Sequence, residues 1–269
     1  MIFRRGKKRK DADDEIVDEP AVDDNLPEDE TDGDAATEKQ SAADGDATSE
    51  DAATLDVEAL DAQDWREEGP YDFAEIDDLD STDETPRIDL GSMIVTGVPG
   101  SELRLQVAEE TQQIVSAMLV IETLVESSVP GEPPQAYSSA LELGAYAAPR
   151  SGGLWAELRD EICQGATEAG GSASLAEGPF GVEVQRLVPV TTPDGEEGYQ
   201  PSRMWVAEGP RWLLRGIVYG QAAVEEDDTS AVVADVLNAF RLVVVRRGDE
   251  AMAPGDLLPL TMPANAVSE

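Results

Sequence analysis

Residues 11–85 carry 31 Asp and Glu against two basic residues, a net charge of −29. Within them, residues 11–64 are rich in Asp, Glu, Ala, Thr and Ser and almost free of aromatics. Such a segment cannot bury enough apolar surface to offset the entropy lost on ordering. A disordered acidic tail is therefore expected over 11–64, which leaves the folding unit to the rest of the chain. The first 85 residues together read as a charged tail, and the domain that follows, about 170–180 residues, is long enough for one substantial core. It is acidic too: residues 86–269 have a net charge of −16, and the whole chain −39. Only residues 1–10 run the other way, with six Lys/Arg and no acid.

Two absences narrow the chemistry. The chain has no histidine and one cysteine, Cys163. Without histidine there is no Ser-His or Cys-His nucleophile pair and no imidazole base or metal ligand. One cysteine excludes an internal disulfide and a zinc cluster. Cys163 follows Ile162 inside an apolar helical pattern and reads as a small packing residue rather than a reactive thiol. No spaced acidic motif stands out over 86–269, so no catalytic residue, metal or cofactor is expected. No apolar run reaches the length of a membrane span. The basic start has no hydrophobic segment behind it and does not read as a secretory signal, so a cytoplasmic protein is expected. Residues 1–10, with Ile2 and Phe3, can touch anionic lipid. Beside the acidic run they make a poor grip on nucleic acid.

Apolar side chains return at Trp65, Tyr71, Phe73 and Ile76, so 65–85 reads as a linker with an aromatic docking patch. From Arg87 the pattern is globular. Strands are expected over 92–95, 102–108, 113–121 and 139–148, with a loop at 122–138 punctuated by Pro130-Gly131 and Pro133-Pro134. Leu154, Leu158 and Ile162 recur at helical spacing and predict a helix over 154–169, stopped by Gly170-Gly171. Further strands follow over 172–175, 181–190, 202–207 and 212–219. Asp228-Thr229-Ser230 supplies capping side chains for a second helix, with Val232, Val233, Val236, Leu237 and Phe240 on one face. A strand over 242–245 closes the domain, and 251–269 reads as an extended tail over the surface. The pattern implies one α+β domain over 86–250: an antiparallel curved sheet with two amphipathic helices, in a PsbP-like arrangement.

One junction concentrates the unusual residues. A strand-like run ends at Pro149-Arg150-Ser151-Gly152-Gly153, and the first helix leaves from Leu154-Trp155. Free amides at a helix start, with Arg150 and Ser151 beside them and Gly152 and Gly153 to let the chain turn, make a candidate anion site. The Gly-x-x-x-x-Gly-Lys spacing of a nucleotide P-loop is missing. Arg211 and Arg215, four apart in a strand-like region, are expected to share a face and to add to the site if they converge with Arg150. The alternative is a tight structural turn, with each arginine paired to one of the many acids.

Several segments together resemble a known family. These are Gly69-Pro70-Tyr71-Asp72, Arg87-Ile88-Asp89-Leu90-Gly91-Ser92, Ala147-Ala148-Pro149-Arg150-Ser151-Gly152-Gly153-Leu154-Trp155, Gly209-Pro210-Arg211-Trp212-Leu213-Leu214-Arg215-Gly216 and Met252-Ala253-Pro254. The chain resembles an actinobacterial family of cytoplasmic proteins built on a domain of unknown function. The basic start and acidic tail fit it, while the segment 122–138 is longer than its pattern. The resemblance implies a host class and a compartment but no catalytic residues. The reading is then a non-enzymatic binding or scaffold module with a protein partner. The rival is a small-anion or nucleotide-binding enzyme or sensor at Arg150, and a third reading is membrane-surface association through residues 1–10.

Overall fold

Strand β10 (Trp212–Gly220) lies at the centre of the fold, apolar on both faces because both are covered. The computed structural model describes residues 55–77, 86–111, 113–192 and 194–263. The basic start and the part of the expected acidic tail before residue 55 lie outside the described residues, as do 78–85 of the expected linker. In chain order the elements before β10 are α1 (Val57–Asp61), β1 (Tyr71–Asp72), β2 (Arg87–Asp89), β3 (Met93–Thr96), β4 (Ser101–Val107) and β5 (Ile114–Val125). Next come β6 (Gln135–Ala147), α2 (Leu154–Glu168), β7 (Ser172–Gly178), β8 (Gly181–Thr191) and β9 (Glu197–Gly209). After β10 follow α3 (Gln221–Val224), α4 (Ala231–Arg241) and β11 (Val244–Val245). None of these helices is long and apolar enough to cross a membrane.

Seven strands form an antiparallel sheet in the order β4-β5-β6-β10-β9-β8-β7. Alternation along β10 divides its side chains between two cores. Trp212, Leu214 and Val218 face α4, where Val232, Val233, Val236, Ala239 and Phe240 form the buried stripe that the spacing predicts. Leu213 and Ile217 face α2, against Leu154 and Trp155. The fold is therefore α+β, with one long helix on each face of the large sheet. Gly216 sits beneath Phe240, whose ring would lie 2.6 Å from an added Cβ, so only glycine fits there. Four short strands make a second sheet, β1-β11-β3-β2, in which β1 and β11 run parallel. The expected closing strand is thus short and belongs to this smaller sheet rather than the large one.

Three expectations about the edges of the domain change. The loop expected over 122–138 shrinks to 126–134, because β5 and β6 stay paired from Ala117↔Leu143 to Val125↔Gln135. Cross-strand pairing there overrides the weak local signal, and Thr123 is further fixed by a 2.6 Å hydrogen bond to Asp235 on α4. Within the expected acidic tail, α1 packs on the domain: Leu60 is buried, and Asp61 accepts two hydrogen bonds, of 2.7 and 2.6 Å, from buried Arg159 on α2. The C-terminal segment does not simply drape over the surface. Leu258 is fully buried; its amide donates to Ala145 and that of Thr261 to Leu90, each at 2.8 Å, closing the gap between the two sheets.

Candidate functional site

The strand-to-helix junction forms where expected, with Gly152 and Gly153 in the left-handed region at φ 69° and 83°. Its amides face a carboxylate of the chain itself. Gly153 N donates to Glu208 Oε2 at 2.9 Å and Trp155 N to Glu208 Oε1 at 3.1 Å. Glu208, near the end of β9, thus caps α2 and sits in the favourable field of its N-terminus. Arg150 is exposed on the turn, and the Ser151 hydroxyl makes a long 3.4 Å contact to the Gly152 carbonyl. The β9–β10 turn comes alongside through Ala148 N, which donates to the Arg211 carbonyl at 3.0 Å.

Arg211 and Arg215 do not share a strand face. Arg211 is the turn residue, at φ 66°, so the alternation of β10 begins only after it. Its carbonyl also accepts from Arg247 Nε at 3.1 Å. Arg215 lies further along β10, stacked 5.1 Å over the Tyr146 ring and 3.9 Å from Glu142. Tyr219 donates to the same Glu142 at 3.2 Å, and burial pushes its phenol above the usual range, with the Glu142 charge adding to the effect. Cys163 is half-buried, and burial followed by the Asp160 charge raises its thiol pKa, against a thiolate role.

The most highly organised polar group in the domain lies elsewhere. Glu183 on β8 is 1% exposed and Arg203 on β9 is 4% exposed. Arg203 Nε and Nη2 each donate to Glu183 at 2.9 Å, and Nη1 donates to Asp228 at 2.6 Å. Glu183 also accepts from Trp205 Nε1 at 2.7 Å and Gln185 Nε2 at 2.9 Å. Burial opposes the charge on Arg203, but hydrogen bonds to Asp228 and Glu183 outweigh it and hold its pKa above the ordinary guanidinium value. Sequence reasoning passed over this group. Its signal is a single charge set in an apolar strand, Val182-Glu183-Val184 and Ser202-Arg203-Met204, because such residues are buried only when paired.

Above this network lies a groove of about 570 Å³, bounded by β7, β8, β9, α3 and the 225–228 loop. Register places Leu187 opposite Pro201 and Pro189 opposite Tyr199, so these four continue one face of the sheet beyond the groove. Leu187 is 40% exposed, Tyr199 59% and, on α3, Val224 52%. Glu177, Glu225 and Glu226 line the groove and have no ion-pair partner among the described residues. Among the described residues, no group of three or more Cys, Asp and Glu is placed to hold a metal ion.

The fold and this surface define an α+β domain with a concave, partly apolar face. The chain belongs to a family described as protein of unknown function (DUF3710), whose model matches residues 69–269. No curated protein matches the chain.

Proposed function

We propose that the protein is a non-enzymatic protein-binding module that docks its partner in the groove over β7, β8 and β9. The observation that carries this reading is the pair of exposed apolar side chains that line one concavity, Leu187 and Val224, with exposed Tyr199 continuing the same sheet face beyond it. Large apolar residues scattered singly on a surface are ordinary, whereas a group of them rimmed by polar residues favours an interaction site. The Glu183–Arg203 network braces the floor, and Arg203 is committed to Glu183 and Asp228. Arg186 also lines the groove and donates to the Ser202 hydroxyl at 3.3 Å, so what the groove offers is shape and apolar area with a single guanidinium outside the network. The rival anion site at Arg150 has less support, because the Glu208 carboxylate already holds the α2 amides that such a ligand would use. The proposal places the module in the cytoplasm, in keeping with its single cysteine.

The test is site-specific photocrosslinking in the source cells. A photoreactive residue replaces Val224, and in a control it replaces Leu124, which is exposed on β5 across the sheet. The expected result is an adduct of defined mass from position 224 only, lost when Leu187→Asp is added. Equal adducts at both positions, or none at 224, would remove the reading.

A further inference from the structure

The two edges of the large sheet are built differently. At one edge, β4 carries a solvent-exposed Arg104–Glu102 pair at 3.0 Å and a register shift at Gln106/Val107. Charges and bulges of this kind discourage another strand from pairing. At the other edge, β7 reads Ser-Ala-Ser-Leu-Ala-Glu-Gly, with one charged residue, no proline and no lysine, and it stays in register with β8 over its whole length. That edge does not stop with β7. Pairing between β7 and β8 ends at Ser172↔Leu187, while β8 runs on to Thr191 paired with β9. The result is a stepped row of backbone donors and acceptors, with small Ser172 and Ser174 side chains lining the groove beside it.

We propose that this edge accepts an extended Lys- or Arg-rich segment of a partner protein as an added strand. Its alternate side chains lie over the groove toward Glu225 and Glu226. The inference rests on the groove being the docking surface and names what occupies it. Charge complementarity sets the partner's chemistry. With Asp228 and Arg203 committed to each other, three carboxylates, Glu177, Glu225 and Glu226, line the groove against one guanidinium, Arg186. The surrounding region is acidic as well, with a net charge of −16 over residues 86–269. Backbone pairing gives affinity with little demand on sequence, and alternate side chains give selectivity. The acidic rim steers a basic segment and repels an acidic one.

The experiment uses the full chain and a labelled short peptide alternating Lys and Val. A Glu/Val analogue and an N-methylated Lys/Val analogue, which keeps the charge but loses alternate backbone donors, are the comparisons. Fluorescence anisotropy reads affinity, and hydrogen exchange reads protection of the β7 amides. The Lys/Val peptide is expected to bind and to protect residues 172–178, with no binding by the Glu/Val peptide. N-methylation, or Glu225→Lys with Glu226→Lys, each weakens binding about tenfold. Binding that ignores the two lysine substitutions is capture by the acidic N-terminal residues and overturns the proposal. Binding that senses those substitutions but not N-methylation, without β7 protection, overturns strand addition while leaving the groove as a docking surface. Absence of binding removes the basic occupant, and the photocrosslinking result then decides separately whether the groove binds protein at all.

Discussion

Replacing Arg203 with methionine removes the guanidinium that meets Glu183 through two 2.9 Å hydrogen bonds and Asp228 through one of 2.6 Å. Methionine fills much of the same space, so the principal loss is electrostatic. Glu183, 1% exposed, keeps only the Trp205 indole and the Gln185 amide as donors. Removing one partner of a buried ion pair costs about 3–5 kcal/mol, because the other charge is left without compensation. Asp228 is half exposed and rehydrates, adding little. Lost stacking of Arg203 over the Trp205 ring, 5.6 Å away, adds about 0.5–1 kcal/mol. A domain of this size shifts by about 2–4 °C per kcal/mol, so Tm falls by about 10 °C or somewhat more. Thermal and urea unfolding of the full chain, followed by tryptophan fluorescence and far-ultraviolet circular dichroism, measures the change. A second variant isolates the cause. Adding Glu183→Gln to Arg203→Met leaves a carbonyl to accept from Trp205 but no buried charge, and recovers about 2 kcal/mol. A cost below about 1 kcal/mol for Arg203→Met, or no recovery in the double variant, would show that the buried charge pair is not what braces the floor of the groove.

Three other outcomes follow from the same geometry. Glu208→Ala removes the carboxylate from the α2 amides and costs about 1 kcal/mol. Sulfate then raises Tm in the variant more than in the wild type at matched ionic strength, since the vacated helix end attracts anions; equal responses would refute the capping role. Gly216→Ala places a methyl 2.6 Å from the Phe240 ring and costs about 1–3 kcal/mol, which equilibrium unfolding reads directly. The Arg66 hydrogen bond holds the Glu75 carboxyl below its ordinary value of 4.5. A depressed carboxyl adds stability above its unfolded pKa and loses it as the pH falls through the folded one. Because this pair is partly solvated, Glu75→Gln costs less than about 1 kcal/mol at pH 7 and a smaller amount near pH 3, below the ordinary carboxyl value. The same deficit at both pH values would contradict the assignment.

Local chemistry was enough to read α2 and α4. The three-and-four spacing of Leu154, Leu158 and Ile162, and of Val232, Val236 and Phe240, needs no distant partner to be recognised. The Ser230 cap and the turn at Gly152-Gly153 were legible for the same reason, since each is a property of a few adjacent residues. Long strands were found but cut short, as with β5 and β6, because a strand extends as far as its neighbour pairs with it.

What the sequence determined alone was therefore the class of the fold, its two long helices, and the exclusion of histidine and multi-cysteine chemistry. Tertiary structure decided where the polar groups meet. Glu208 caps amides more than fifty positions earlier in the chain, Glu183 meets Arg203 across two strands, and Leu258 enters the seam between two sheets. Periodicity reports which side of an element is buried, but not which distant side chain will lie against it. For the junction at Arg150 that distinction mattered most: the sequence showed free amides at a helix start, and the folded chain delivered its own carboxylate to them.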